Sequence, residues 1–267
     1  EGVLVVWQLQ GGEKQMLPRL GAPLQRLTAS RDAALYAISC DDNSVRLINA
    51  LTLAPTHTVR GLSLGHAALG AGGGLSKLCV DPRDGLLVLN AYSTSLQFYD
   101  PVKQKHVMEH DAAPRNLVSR RDNKPIVSTR VTHVAFSHDG AGMVTVDQRV
   151  GTEDAGKLKF WGWTQKSRQY ILHSLAEAPH KPQVSALAYH PSEHVALSAG
   201  ADGKIKLWQR IRRETPKGMT AADAQAPLHT WRCRGATCYR RVKVADAAYS
   251  HDGSLVAVAY GPTVTLW

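Results

Sequence analysis

The amino-acid sequence predicts an all-β fold: a β-propeller fragment with about five d-a-b-c repeats and open ends. Three observations carry this reading. Six short, mostly apolar runs end in a bulky residue: LVVW (4–7), VRLI (45–48), LQFY (96–99), LKFW (158–161), IKLW (205–208) and VTLW (264–267). Their last residues lie 41 to 62 apart, and the shortest interval fits a propeller blade of roughly 40–45 residues, longer ones adding loops. Between them a polar turn recurs at Asp32, Asp84, Asp139 and Asp252, followed by a run such as SLVAVAY (254–260). No stretch shows the 3.6-residue period of a helix.

Each strand of a blade has its own signature. Strand a (VTHVAFS, 131–137; KVADAAYS, 243–250) runs into a tight turn, placed at 30–33, 82–85, 137–140, 191–194 and 250–253. Asp and Gly suit such turns, because Asp bonds its own backbone two residues on and Gly tolerates positive φ. Strand b (ALYAIS, LLVLN, MVTVD, VALSAG, SLVAVAY) is almost continuously apolar, as expected of a strand covered on both faces. Strand c alternates, burying Val45 and Leu47, or Ile205 and Leu207, and turning Arg46 or Lys206 outward. The outer strand d is more polar: KQMLPRL (14–20), THTVRG (56–61), KHVMEH (105–110), RQYILHS (168–174) and LHTWRCR (228–234). The sequence opens within a strand c and stops at Trp267 before a further outer strand. Residues 1–267 are therefore expected to be part of a single propeller whose remaining strands lie outside this window.

Composition narrows the function classes. At 267 residues and 43% hydrophobic, the chain can build a sizeable core, yet it has no apolar run of membrane-spanning length. Its 4 Cys are scattered, which fits a reducing compartment better than a disulfide scaffold. The net charge of +10 bears on partners. Basic residues gather at Arg115, Arg120, Arg121, Lys124 and Arg130, then at Arg210, Arg212, Arg213 and Lys217, then at Arg232, Arg234, Arg240, Arg241 and Lys243. Read as loops on a rigid ring, the first two groups are candidate RNA-phosphate contacts, since affinity for a phosphate backbone comes largely from counterion release. The plain alternative is a solvated loop face. Few aromatics interleave with these runs, so base-specific stacking is not indicated.

Catalysis finds little support. His133, His138, His190, His194 and His251 fall in blade turns or on strand a. Ser-His-Asp at 137–139 is a contiguous turn, repeated at 250–252, whereas a triad converges from separate segments. Cys233 and Cys238 with His229 lack the second ligand pair of a structural zinc site. GAGGG (70–74) lacks the Lys-Ser/Thr of a phosphate-binding loop. No enzyme, metal or cofactor is expected. Asp42, Asp202, Asp139 and Asp252 read as turn-stabilising carboxylates.

Several segments are more specific than a generic blade: LVVW (4–7) with MLPRLGAPL (16–24), VDPRDGLLVLN (80–90) with LQFYD (96–100), KLKFWGW (157–163), SAGADGKIKLW (198–208) and HDGSLVAVAY with VTLW. In this order the chain resembles WD-repeat propellers and, along essentially its whole length, the WD repeat-containing protein 75 family. That family belongs to the UtpA subcomplex of the small-subunit processome. The resemblance implies a non-catalytic nucleolar scaffold in ribosome biogenesis, supporting processome assembly on nascent pre-rRNA, rRNA processing and rDNA transcription. It implies as partners other UtpA-type subunits, early pre-ribosomal proteins, the 5′ external spacer of pre-rRNA and U3 snoRNP, with no membrane and no small-molecule substrate. The alternative is a generic WD-repeat interaction adaptor, such as a ubiquitin-ligase substrate receptor. The docking signal such receptors carry after the terminal Trp is absent from Trp208-Gln209-Arg210-Ile211.

The chain departs from the WD pattern in places. The b–c turn Asp is present as Asp42 and Asp202 but replaced by Ser93, Ala155 and Gly261. The Gly-His of the usual polar network is found only as Gly65-His66. Apolar packing, more than this network, is thus expected to hold the blades.

Overall fold

Strand formation follows the turn chemistry closely. The computed structural model describes residues 3–8, 11–30, 32–40, 42, 44–60, 62, 78–91, 94–114, 129–149, 156–213 and 229–267, and these contain strands and turns but no helix. No helix is therefore long and apolar enough to cross a membrane among the described residues. The chain divides into two compact units, Glu1–Glu109 and His110–Trp267.

In the first unit β1 (Val5–Trp7) pairs antiparallel with β2 (Lys14–Met16). Next comes a sheet in simple sequence order: β3 (Leu24–Ala29), β4 (Leu35–Cys40), β5 (Val45–Asn49) and β6 (Pro55–Val59). A second meander follows, of β7 (Cys79–Val80), β8 (Leu87–Asn90), β9 (Ser95–Asp100) and β10 (Lys105–Asp111). Ala37, Val45, Leu47 and Val59 of one sheet share a core with Leu78, Leu87 and Leu89 of the next.

The second unit repeats the plan. It contains β11 (Thr129–Phe136), β12 (Gly142–Arg149), β13 (Lys157–Thr164) and β14 (Gln169–Glu177), then β15 (Val184–Tyr189), β16 (Val195–Gly200), β17 (Lys204–Arg212) and β18 (His229–Cys238). A three-stranded sheet of β19 (Asp246–Tyr249), β20 (Val256–Tyr260) and β21 (Thr263–Leu266) completes it. All the predicted a–b turns lie between the strands expected to flank them.

β16 shows why strand b must be small and almost wholly apolar: all six of its residues are buried. Ala196 joins Val144, Phe160 and Trp231 in one cluster, while its neighbours Leu197 and Ala199 join Val244, Val258 and Tyr260 in another. Alternate side chains thus enter two different cores, as strand geometry requires. Phe160 stacks on Trp231 at 4.5 Å between ring centroids, and Trp208 lies 5.5 Å from Phe160.

The a–b turns use one device three times. Ser30, Ser137 and Ser250 each donate a hydroxyl to the Asp two residues on, at 2.5, 2.6 and 2.6 Å. Each Oγ also accepts a backbone N–H five residues on, from Leu35, Gly142 or Leu255. Two turns depart from it. Asp81, not Asp84, organises its turn, accepting the Arg83 N–H and a buried ion pair from the Arg83 guanidinium. In the remaining turn His190 Nδ1 accepts the Ser192 and Glu193 N–H groups, so Nε2 carries the proton and donates to Gly253 O at 3.2 Å in the neighbouring sheet's turn.

At the start of the second unit, His110 packs edge-on against Trp161, 4.5 Å between centroids, and near Tyr170 at 6.0 Å. Burial pulls its pKa down to about 4, with Asp111 opposing and Lys159 reinforcing the shift. A folded pKa below the unfolded value means the native state binds fewer protons, so stability is full above about pH 6.5 and falls as pH drops toward 4. This one group should remove about 3 kcal/mol across that window. Thermal melting of full-length protein should show that acid loss, and His110→Phe should flatten it. An unchanged acid limb in the variant would refute the assignment.

Candidate nucleic-acid interface

Asp202 sits in the β16–β17 turn beside Gly203, whose φ of 73° suits glycine. Its Oδ1 accepts the Lys204 N–H at 3.1 Å and lies 3.0 Å from His180 Nδ1. His180 Nε2 is 2.9 Å from Ser198 Oγ, which accepts the Trp208 indole N–H at 2.8 Å. One donor order satisfies every group: Trp208 to Ser198, Ser198 to His180, His180 to Asp202. Burial holds the His180 pKa below its ordinary value, with Asp202 opposing the shift. The network therefore operates with a neutral imidazole.

The Gly-His motif marks Gly65-His66 alone, yet His180 completes a network of this kind. His180 follows Pro179, not Gly, and so escapes the motif. The glycine it needs is elsewhere: a Cβ on Gly200 would fall 2.4 Å from His180 Cβ. Gly65, His66, Ser93 and Ala155 lie outside the described residues.

The other sheets vary the theme. Trp161 donates its indole N–H to Thr145 on strand b at 2.9 Å, matching Trp208 and Ser198. There a buried Lys159 stands 3.0 Å from Asp147 Oδ1 and donates to Ala112 O at 2.6 Å. Burial still pushes the Asp147 pKa up, since one cation does not replace water. Trp267 donates to Thr265 of the adjoining β21, for Val258 on strand b offers no hydroxyl. In that sheet apolar packing does carry the load.

Asp42 accepts the backbone N–H and hydroxyl of Ser44, with Arg46 3.6 Å away, and the Ser44 bond leads the lowering of its pKa. Asp139 and Asp252 lie in the serine turns already described. Two bonds to Ser250 and Ser254 lead the fall of the Asp252 pKa to about 2. In the Ser-His-Asp turn at 137–139, His138 bridges nothing; its ring lies 5.7 Å from that of His194.

The basic candidates separate into distinct settings. Arg115, Arg120, Arg121, Lys124 and Lys217 lie outside the described residues. Arg130 belongs to no loop; it is buried on β11, paired with Gln148 in register. Arg210 and Arg212 are also not loop residues. They extend β17, opposite Trp231 and His229 of β18, because the long hairpin continues past Trp208. Arg232 and Arg234 lie on β18 itself. Arg240 and Arg241 take left-handed conformations, φ 48° and 52°, in the turn before β19.

Around the β17–β18 end lies a cleft of about 530 Å³, lined by His173, Arg212, Arg213, His229, Thr230 and Arg232 among others. The described lining contains no carboxylate. The His173 and His229 rings lie nearly parallel, 6.5 Å apart. Burial first holds both imidazoles below their ordinary pKa, followed by His229 and Arg210 for His173, and by Arg210 and Arg212 for His229. Sequence reading singled out Arg210, Arg212 and Arg213, but not His173. Its one signal is Gly162, where a Cβ would fall 2.0 Å from the His173 ring.

Successive four-stranded antiparallel meanders, with a Trp–Ser–His–Asp network bridging strands b and c, define a WD-repeat β-propeller protein. The model of the WD repeat-containing protein 75 second beta-propeller family matches residues 78–267, and the chain belongs to that family. Relatives include WD repeat-containing protein 75 of Xenopus laevis, 28% identical over 278 residues, covering 100% of this chain and 31% of the relative. The Danio rerio protein of the same name is 27% identical, covering 100% and 30%. U3 small nucleolar RNA-associated protein 17 of Schizosaccharomyces pombe is 29% identical, covering 98% and 36%. The chain spans about a third of the length of these relatives.

Gly200→Ala should force His180 from its site and break the network without introducing positive-φ strain. Asp202→Ala removes the acceptor at the other end. Each should cost on the order of 1–3 kcal/mol, read as a lower melting temperature of the full-length protein. An unchanged melting curve with lost partner binding would show that these groups serve recognition instead.

Proposed function

We propose that this protein is a non-catalytic scaffold in ribosome biogenesis, acting in the small-subunit processome on nascent pre-rRNA. The single observation that carries the reading is the match along 98% of the chain to a relative named as U3 small nucleolar RNA-associated. The vertebrate relatives extend it, each covering 100% of the chain. On this reading, residues 1–267 are part of one propeller in the nucleolus. Its partners are other UtpA-type subunits, early pre-ribosomal proteins, the 5′ external spacer and U3 snoRNP, and the role extends to rDNA transcription.

The physical features support a scaffold. Strands b and c are committed to packing, so contacts must come from loops, outer strands and turns. The net charge of +10 favours a polyanionic partner. The polar network at Asp202 bonds its members to one another, with His180 buried.

Arg120, Arg121 and Lys124 should contribute phosphate contacts. Changing all three to Glu in the full-length protein should reduce RNA crosslinking and co-sedimentation with early pre-ribosomes. The salt dependence of RNA binding should fall by roughly one unit per cation lost. Wild-type levels of both readouts in moderate salt would remove this loop from the interface. Failure of the wild-type protein to enter such particles would overturn the function itself.

A further inference from the structure

The outer strands β14 and β18 are tied together, and the tie lies beside the basic cleft. Ser174 Oγ accepts the Trp231 N–H at 2.9 Å and shares a hydrogen bond with Thr230 Oγ1 at 3.0 Å. Underneath, Trp231 is buried and stacked on Phe160. The cleft floor is therefore held by hydrogen bonds and packing, while Arg212, Arg213 and Arg232 around it are exposed.

Among the described residues, the charges facing this space are one-sided. β17 and its continuation supply Arg210, Arg212 and Arg213; β18 supplies His229 and Arg232; β14 supplies His173. From β13, uncharged Gly162 lies against the His173 ring. Beyond Arg210, His194 Nε2 lies 3.8 Å from Asp139 Oδ2, an acid on this side that is already engaged. These four guanidinium groups disfavour protonation of the two imidazoles until an anion offsets the cations.

We propose that this cleft binds the phosphodiester backbone of single-stranded RNA, and that binding is coupled to proton uptake by the His173–His229 pair. The site rests on the reading that the protein works on RNA, and adds to it a location and a regulator. A phosphate beside both rings accepts hydrogen bonds from imidazolium N–H groups and from the arginine forks. Because the indole of Trp231 is buried, it offers no face to a base, and the grip is on the backbone and independent of sequence. The sign follows directly. The bound state holds more protons than the free state near the ordinary histidine pKa, so affinity rises as pH falls.

The test is fluorescence anisotropy of a short labelled oligouridylate with full-length protein at constant ionic strength. Affinity should weaken about three- to tenfold between about pH 6 and about pH 8. His173→Asn with His229→Asn should abolish most of that dependence, with a melting curve matching wild type. Arg213→Gln, at an exposed position, should weaken binding at both pH values and leave the pH dependence in place. A double variant that keeps the wild-type pH dependence overturns the proposal. So does full competition by pyrophosphate at equal phosphate concentration, which marks a small-anion site, or preferential binding of polyglutamate. Co-sedimentation of the wild-type protein, set beside its RNA binding, separates the two readings. Wild-type protein in pre-ribosomes with pH-independent RNA binding sinks the cleft alone; proton-coupled RNA binding without entry into such particles sinks the processome role alone.

Discussion

In β16, strand b lies inside its sheet with packed side chains against both faces, and much of the second unit follows from that burial. In β16 it places Ala196 in one core and Leu197 with Ala199 in the next, so every side chain of the strand must be small or apolar. It also removes water from the polar groups that the chain brings there. A buried indole N–H or hydroxyl without a partner costs on the order of 1–3 kcal/mol, so each sheet needs an internal solution. Trp208, Ser198, His180 and Asp202 form one, and Trp161 with Thr145 forms a shorter one.

The alternatives within the same architecture are informative. Where no histidine reaches strand b, Lys159 and Asp147 supply a buried ion pair, anchored by Ala112 O. Asp147 holds the place in its strand that Gly200 holds in β16, counting from the residue opposite each Trp. Gly200 leaves room for an imidazole; Asp147 instead brings its own acceptor. The turns vary in the same manner, with Asp81 or His190 standing where three other turns use Ser. Different residues meet one requirement, that the backbone donors at the a–b corner find acceptors.

Commitment of the inner strands to packing displaces charge outward. The β17–β18 hairpin runs well past Trp208 and carries Arg210, Arg212 and Arg232 beside His173 and His229. Burial lowers the pKa of both histidines, and their cationic neighbours, Arg210 foremost for His229 and His229 with Arg210 for His173, add to it. Such a concentration of cations on a packed floor lowers the reorganisation needed to receive a polyanion.

The sequence by itself determined the repeat, the strand order and the position of each a–b turn, because period-two alternation and Asp/Gly turn chemistry act over a few residues. It also identified Asp202 and Trp208 as fixed points, and Arg210 and Arg212 as basic surface. Tertiary structure alone decided where those arginines sit. Strand β17 continues through them because β18, beyond a long connection, pairs with it, and no local pattern encodes that partner. Arg130 was unreadable for the same reason: its basic neighbours in the sequence suggest a loop, but pairing with β12 buries it. His180 meets Ser198 across 18 positions, and Ser174 meets Trp231 across 57. Contacts at such separations depend on how neighbouring strands and sheets stack, and stacking is a property of the assembled core.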